Sequence, residues 1–216
     1  PEPLGSMMKD LIERRLADPT LPMEEAFSQH LKEEELELPA GQFALFMNSM
    51  YAVDAYVRDY FRKAALDALL AKKLPVTVFG EGWEKYSCGD GHSLRREPAV
   101  PFALSFERIA KAHVLLNVSP IFNRGMHDRV PAGMANHAVV LTDENPYLRR
   151  TFTGGKELLF YSLEKPDTLC EQAERALTDV RLREKIAASA YETFEREYTW
   201  KRRAEQILAF AEEVEA

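Results

Sequence analysis

Hydrophobic residues follow two different patterns on either side of Leu74-Pro75. Before this point they recur at every third or fourth position, which predicts amphipathic helices over residues 7–73. The longest helix is expected from about Asn48 to Lys72. Its apolar stripe consists of Val53, Tyr56, Val57, Tyr60, Phe61, Ala64 and Ala65. Such a stripe is typical of a helix that packs on a core or an interface.

After Leu74, short apolar runs alternate with helical patterns. The runs cover residues 76–79, 113–118, 138–142 and 157–161, and helices are expected at 106–112 with Ser105 as N-cap, from Met126, from Pro146, from Pro166 and after Thr199. Strands that are apolar on both faces and alternate with helices indicate a parallel sheet covered on both sides. We therefore predict that residues 74–216 form a Rossmann-like, doubly wound α/β domain with C-terminal helices.

Ligands bind beyond the carboxyl ends of the strands in such a sheet, and the segment after Val118 is the richest in chemistry. Its candidate residues are Ser119, Asn123, Arg124, Gly125, His127, Asp128 and Arg129. Amides at a helix N-terminus and the guanidinium fork of arginine together suit a pyrophosphate, without a metal or a Walker loop. The alternative is a solvated loop in which Asp128 caps the helix and Arg129 pairs with a surface acid.

Two other strand ends offer weaker candidates. After Phe79, Gly82 allows close backbone approach and Trp83 could stack on a base, although a tight turn with a packed tryptophan fits equally. After Leu141, Thr142 and Asp143 could bind sugar hydroxyls. Asp143 and its neighbour Glu144 could instead cap the helix that begins at Pro146.

Composition narrows the function classes. Lys and Arg number 28 against 35 Asp and Glu, and this net charge of −7 argues against a nucleic-acid partner. No apolar run approaches the roughly 20 residues of a membrane span. The distant Cys88 and Cys170 favour a reduced, cytoplasmic compartment. Cys88, Asp90 and His92 fall short of a tetrahedral set, so we expect no metal. Residues 1–6 look like the remnant of an expression vector.

Several linked motifs resemble one family of proteins. They are residues 116–120 (LNVSP), 125–130 (GMHDRV), 134–136 (MAN), 140–143 (VLTD), 155–162 (GKELLFYS) and 197–204 (EYTWKRRA). In this order they resemble the group 1, spore-maturation-type glycosyltransferases of bacteria, which have the GT-B fold. The resemblance covers roughly residues 74–208.

The resemblance implies two Rossmann-like domains that face each other across a cleft, of which this chain is expected to be the C-terminal one. This domain would bind a nucleoside-diphosphate sugar as substrate, with no cofactor. By resemblance, Arg124 and Gly125 lie where the donor sugar and phosphates are approached, and residues 127–129 begin the helix that holds the pyrophosphate. Gly82 and Trp83 would lie near the base.

The chain departs from the family at Ala132, where the wider family usually has a glutamate that binds the ribose hydroxyls. Ribose contact then passes to Asp143, Glu144 or backbone, or donor binding is weakened. No N-terminal Rossmann domain and no glycine-rich first strand are visible, so we expect a fragment that is inactive alone. Its helical region would pack on the missing domain, on a partner chain or on a second copy.

Two other functions are weighed against glycosyl transfer. The first is a degenerate, non-catalytic module that serves as a platform for protein partners, which the change at Ala132 and the acidic surface favour. The second is a Rossmann dehydrogenase, which is disfavoured because no G-x-G-x-x-G follows the first strand.

Overall fold

The computed structural model describes residues 2–87 and 91–215. Cys88 and Asp90, named above with His92 in connection with a metal, lie outside these residues. The helical region comprises α1 (Glu2–Ala17), α2 (Met23–Glu33), α3 (Ala40–Ser49) and α4 (Tyr51–Ala71). Helix α4 starts at Tyr51 and not near Asn48, because α3 runs on to Ser49 and only Met50 separates the two helices.

The expected stripe of α4 is buried along its centre and exposed along its edge. Val53, Val57, Phe61 and Ala65 are buried, whereas Tyr56 and Tyr60 are about half exposed. At four-residue spacing the buried set stays on one line of the helix. Helix α4 therefore buries a narrow seam and leaves its two tyrosines at the surface.

Within the described residues, five strands follow the helical region and all are paired in parallel. They are β1 (Val76–Phe79), β2 (Leu94–Glu97), β3 (Val114–Asn117), β4 (Val139–Asp143) and β5 (Leu159–Tyr161). Their hydrogen bonds form a pair, β1-β2, and a three-stranded sheet in the order β3-β4-β5. Strand β2 was not predicted, because Leu94 is the one apolar residue in its sequence LRRE. It pairs with β1 at Val76↔Leu94 and packs Leu94 with Leu66 and Leu70 of α4.

The remaining helices are α5 (Phe102–Ile109), α6 (Arg129–Ala135), α7 (Pro146–Thr151), α8 (Pro166–Thr178), α9 (Val180–Glu197) and α10 (Trp200–Glu215). The predicted starts at Pro146, at Pro166 and after Thr199 are confirmed. Two starts were wrong. Helix α5 begins after Pro101, so Ser105 lies inside it and its hydroxyl donates to the Phe102 carbonyl at 2.6 Å. Helix α6 begins three residues later than Met126.

Strand β4 is buried on both faces, as a parallel strand between two helical layers must be. Val139 and Leu141 belong to a large hydrophobic cluster with α1, α2, α4 and α8. Val140 points to the other side, where it packs with Val130 and Met134 of α6 and with Ala190 of α9. The first cluster runs without a break from the helical region into the sheet. The division between residues 73 and 74 therefore stays a prediction from sequence.

Gly133 lets α6 lie unusually close to the sheet. A Cβ added at this residue would meet Val140 Cγ2 at 2.4 Å and Leu115 Cδ2 at 3.0 Å, and Val140 is fully buried. We therefore expect Gly133→Ala to lower the free energy of unfolding by about 1–3 kcal/mol through overpacking. Urea denaturation measures this. Gly41→Ala is the control, because nothing lies within 4 Å of its added Cβ. An equal effect of the two substitutions would contradict the close packing.

Candidate functional site

A buried polar network joins the carboxyl ends of β3, β4 and β5. The Ser119 amide donates to Asp143 Oδ1 at 2.7 Å, and Asn117 Nδ2 donates to Thr142 Oγ1 at 2.9 Å. The Tyr161 hydroxyl donates to the Asn117 carbonyl at 3.1 Å, and the Ser119 hydroxyl to Asn117 Oδ1 at 3.0 Å. All five residues are at most 5% exposed. These groups form the floor of the site and are already hydrogen-bonded within the protein.

Asp143 is the most strongly perturbed acid in this network. Burial raises the pKa of its carboxyl group to about 7, although the Ser119 amide and the nearby Arg129 act in the opposite direction. A carboxyl group with this pKa is only partly ionised near neutral pH. It therefore offsets only part of the positive charge of Arg129.

Neither Asp143, the last residue of β4, nor Glu144 after it caps α7, so the capping alternative was wrong. Asn145 caps α7 by accepting the Leu148 amide at 2.8 Å. Its side-chain amide also donates to the carbonyls of Phe122 at 2.8 Å and Gly125 at 3.2 Å. Asn145 thereby ties the loop after β3 to the end of β4. An asparagine before a proline is the one sequence feature that hints at this double role.

His127 and Arg129 lie against one another at the start of α6. With its proton on Nε2, neutral His127 accepts the Arg129 backbone amide at 3.1 Å and Arg129 Nε at 3.3 Å through Nδ1, the nitrogen that the Asp128 carboxylate also contacts. The Val130 amide donates to the His127 carbonyl at 3.0 Å. Pro131 has no amide hydrogen. The expectation of free amides at this helix start was therefore wrong, because His127 itself occupies them.

The pKa of His127 is lowered, first by burial and then by the positive charge of Arg129. The Asp128 carboxylate contacts the same ring and raises the pKa, but not by enough to reverse the shift. Asp128 stands at the N-cap position without a side-chain capping bond, and its side chain is 70% exposed. The alternative in which Asp128 caps α6 is therefore wrong as well.

Arg62 of α4 brings a further positive charge to this point. Burial, and next the charge of Arg62, lower the pKa of Arg129. Burial and Arg58 lower that of Arg62, which has Asp59 at 4.0 Å as a distant partner. Arg62 and Arg129 thus bring two positive charges together on partly buried side chains beside the ring of His127, and these three residues are hereafter called the cationic cluster. Groups of like charge that are removed from water favour a bound anion.

The two arginines expected to act together have different partners. Arg124 forms an ion pair with Glu25 of α2 and its side chain is 70% exposed. Between them in the sequence, the Gly125 amide donates to the Phe122 carbonyl at 3.4 Å, and the space around Gly125 is open. Asn123 is buried. The structure thus groups Arg129 with His127 and Arg62, and Arg124 with the helical region.

Gly82 and Trp83 form a tight turn after β1. Gly82 has a φ of 89°, a conformation that favours glycine. The Trp83 indole N–H donates to the Phe79 carbonyl at 3.3 Å, and the ring meets Tyr86 edge-on at 6.3 Å. Arg96 of β2 donates to the Trp83 carbonyl at 3.1 Å. The segment is thus a tight turn with a packed tryptophan. Stacking of Trp83 on a nucleotide base stays a prediction.

A cavity of about 470 Å³ opens past the end of β5. Its lining includes Thr20 from the α1–α2 turn, Glu144 with its partner Arg149, Tyr161, and Lys165 before α8. His127 and Arg129 do not line this cavity, so it is separate from the cationic cluster. Tyr161 lines the cavity and also lies close enough to Arg129 to affect its pKa. The loop after Tyr161 carried no signal in the sequence.

Two classes of site can be checked among the described residues. No group of three or more His, Cys, Asp or Glu side chains in this part of the chain could hold a metal ion. Likewise, none of the helices described has both the length and the apolar character needed to cross a bilayer.

Comparison with protein families decides the relationship. The model of a family described as glycosyl transferase-like matches residues 58–209. The chain belongs to this glycosyl transferase-like family. The match begins within α4, so it includes Arg62 as well as the loop after β3. The family expected from the sequence motifs is thereby confirmed.

A solved structure supports the fold of this glycosyltransferase-like chain. The crystal structure of Anabaena Alr3699/HepE in complex with UDP-glucose is similar with a TM-score of 0.58 and 11% sequence identity. The similarity covers 71% of this chain and 44% of that one, so the chain spans less than half of that protein. No curated protein is significantly similar in sequence. The Rossmann-like parallel α/β fold, of the kind found in GT-B glycosyltransferases, is confirmed.

Sequence reasoning missed Arg62. Arg58 and Arg62 stand one helical turn apart on the polar side of α4, which is ordinary for a surface helix. Only the packing of α4 brings the charge of Arg62 close enough to act on Arg129, and no local pattern indicates this proximity. The motif after β3 indicated the position of the site but not its full set of charges.

Asp143 should make stability depend on pH. Because its pKa is raised to about 7, the folded chain holds a proton that the unfolded chain releases near its ordinary pKa. The free energy of unfolding should therefore fall as pH rises from about 4 to about 7. The side chain in Asp143→Asn stays neutral and can still accept the Ser119 amide. Between about pH 5 and about pH 8, the free energy of unfolding of this variant should therefore fall by roughly 1–3 kcal/mol less than that of wild type.

Urea unfolding at both pH values measures this difference. Glu144→Gln is the matched control, because Glu144 is the next residue and pairs with Arg149 at the surface. It should keep the wild-type dependence on pH. The same dependence in wild type and Asp143→Asn would show that this carboxyl group is not the source.

Proposed function

We propose that the chain is the C-terminal, nucleotide-sugar-binding domain of a glycosyltransferase, which transfers a sugar from a nucleoside-diphosphate donor to an acceptor. Membership of the glycosyl transferase-like family and the likeness to a fold whose solved example holds UDP-glucose both support this. The observation that carries it is the cationic cluster at the carboxyl edge of the sheet, where Arg62 and Arg129 are partly buried beside His127 and the neighbouring Asp143 is only partly ionised.

A diphosphate supplies the charge that this cluster lacks. Its oxygens can accept the guanidinium forks of Arg62 and Arg129, and such charge-assisted bonds are strongest where water is partly excluded. In sugar transfer the departing diphosphate gains charge as the bond to the sugar breaks. Positively charged groups already held in place stabilise that charge without reorganisation. We propose that these arginines, and no metal ion, perform this task.

His127 would change partners when the donor binds. Its Nδ1 now accepts the Arg129 amide at 3.1 Å. A phosphate oxygen at this point would be a stronger acceptor for the same amide, since it is charged. The ring would then be free to hydrogen-bond a phosphate or the sugar. Arg124 would reach the donor only after leaving Glu25, so we assign it the smaller share of donor binding.

The other contacts to the donor must come from groups that are not already hydrogen-bonded in the buried polar network. Thr142 and Asp143 already hold internal partners, so we propose that they position the loop and the charge of Arg129 rather than bind hydroxyls. Ribose contact would then fall to Glu144 or to backbone groups, in the absence of a glutamate at Ala132. Trp83 is proposed near the base.

Nucleotide titration tests the donor site. We expect UDP or GDP to bind with micromolar affinity, and Arg129→Ala and Arg62→Ala each to weaken binding at least about tenfold. Isothermal titration calorimetry measures both. Arg150→Ala, which removes an exposed arginine of α7, is the control and should bind as wild type does. Binding that is unchanged in Arg62→Ala and Arg129→Ala would refute this site.

The second candidate function is a non-catalytic platform for protein partners. Ala132 at the usual glutamate position favours it, as does the occupation of the Arg129 amide by His127. This hypothesis expects no nucleotide to bind the wild-type chain at millimolar concentration. The two functions therefore give opposite results in the same titration.

Turnover provides a separate prediction. The general base of an inverting mechanism would come from a domain that this chain does not include, so the purified chain should bind a donor without transferring its sugar. Release of nucleoside diphosphate from UDP-sugars, with and without added acceptors, measures this. Transfer at an ordinary enzymatic rate of about 1 s⁻¹ or more would show that the chain is catalytically complete.

A further inference from the structure

The side chain of Asn145 is 6% exposed and uses both of its polar atoms. Its oxygen accepts the Leu148 amide at 2.8 Å and thereby caps α7. Its nitrogen donates to the Phe122 carbonyl at 2.8 Å and to the Gly125 carbonyl at 3.2 Å. An amide nitrogen carries two hydrogens, so one can serve each carbonyl. The oxygen of this side chain thus belongs to α7 and its nitrogen to the loop after β3.

Capping alone does not require an asparagine at this position. Asparagine, aspartate and serine are about equally good N-cap residues, because each offers an oxygen to the first amides of a helix. Among the three, only asparagine also carries two donor hydrogens on one nitrogen. The two bonds to the loop are therefore what Asn145 contributes beyond the cap.

The two carbonyls stand at the first and last residues of one turn. The Gly125 amide donates to the Phe122 carbonyl at 3.4 Å, so residues 122–125 form a turn whose own closing bond is long and weak. Asn145 bridges both ends of this turn and closes it a second time. A turn held by one weak bond keeps much of its conformational freedom, and the amide of Asn145 removes that freedom before any ligand binds.

The turn of residues 122–125 reaches the cationic cluster through an aromatic contact. The rings of Phe122 and His127 meet edge-on, with centroids 5.1 Å apart. His127 in turn accepts the backbone amide and the Nε of Arg129 at 3.1 and 3.3 Å. A continuous path of contacts therefore leads from Asn145 through Phe122 and His127 to Arg129.

We propose that Asn145 is a positioning residue of the donor site, an inference that rests on the proposed function. Its amide holds the turn of residues 122–125 at the end of β4. The turn keeps Phe122 against the His127 ring, and His127 stays beside Arg129 at the start of α6. Without the tether the turn is ordered only when the donor binds, and the cost of ordering it weakens binding. Asn145 acts through Phe122 and needs no contact with the donor.

Two substitutions separate the tether from the cap. Asn145→Asp and Asn145→Ser each keep an oxygen for the Leu148 amide, and each loses the amide nitrogen. Each should raise the dissociation constant for UDP or GDP about tenfold in isothermal titration calorimetry. Because Asn145→Ser is neutral, its loss of affinity would not come from repulsion between a new carboxylate and the diphosphate. Circular dichroism checks that both variants are folded.

Asn136→Asp is the matched control. Asn136 follows α6 at its other end, and its side-chain amide donates to the Ala132 carbonyl at 2.8 Å. The substitution removes a similar bond away from the loop after β3, so it should leave the nucleotide dissociation constant unchanged. Hydrogen exchange gives a second readout without nucleotide. Residues 121–126 should exchange faster in both Asn145 variants and at the wild-type rate in Asn136→Asp.

A double-mutant cycle tests the path through His127. If Asn145 acts through this ring, Asn145→Asp should raise the nucleotide dissociation constant less than about threefold in a His127→Ala background, against about tenfold in wild type. A residue that only stabilises the fold would have the same effect in both backgrounds.

Three results would overturn this role of Asn145. They are unchanged nucleotide affinity in both Asn145 variants, an equal loss of affinity in Asn136→Asp, and an equal effect of Asn145→Asp with and without His127. In each of them the wild-type chain still binds nucleotide, so the proposed function survives. A wild-type chain that binds neither UDP nor GDP would refute the donor site itself, and the positioning role with it.

Discussion

Asp143 accepts the Ser119 amide at 2.7 Å, and this bond fixes where the chain goes after β3. The loop that follows β3 passes over the end of β4. Asn145 holds the later part of this loop by donating to the carbonyls of Phe122 and Gly125. Everything that carries positive charge at this edge depends on that path. Because burial keeps the Asp143 carboxyl group only partly ionised near neutral pH, the bond positions Arg129 without neutralising it.

The helical region has an equal part in the electrostatics of the site. Helix α4 buries Val57 and Phe61 in the core shared with the sheet, and this packing brings Arg62 near Arg129. Glu25 of α2 in turn pairs with Arg124. One helix therefore adds a cation to the cluster, while another offers a carboxylate to the arginine in the loop after β3. The hydrophobic pattern of the sequence changes between residues 73 and 74. The charged surface at the edge of the sheet nevertheless includes residues from both sides of that point.

The sequence was informative where local chemistry determines structure. Strand β4 begins with three apolar residues in succession, and α7 begins at a proline, so both could be predicted. Strand β2 could not, because its sequence LRRE has one apolar residue and its pairing with β1 is non-local. In the site, the loop after β3 was found from its residue types. The influence of the Arg62 charge on Arg129 depends on tertiary packing. The hydrogen bond from the Arg129 amide to the His127 ring depends on a side-chain rotation that sequence spacing does not encode.

The occupied amide at the start of α6 bears on the choice between a donor site and a degenerate platform. With His127 in place, a nucleotide exchanges one acceptor for another at this amide, so the amide alone contributes little net free energy. The arginines are different, because the nearby acids balance them only in part: Asp59 lies 4.0 Å from Arg62, and Arg129 feels the exposed Asp128 and the partly ionised Asp143. Replacing a buried charge by an apolar group of similar size is often neutral or stabilising, so a weakly compensated pair is a cost to the fold. Costs of this kind concentrate where a protein binds its ligand. Arg62 and Arg129 therefore weigh more heavily for a phosphate ligand than the missing glutamate at Ala132 weighs against one.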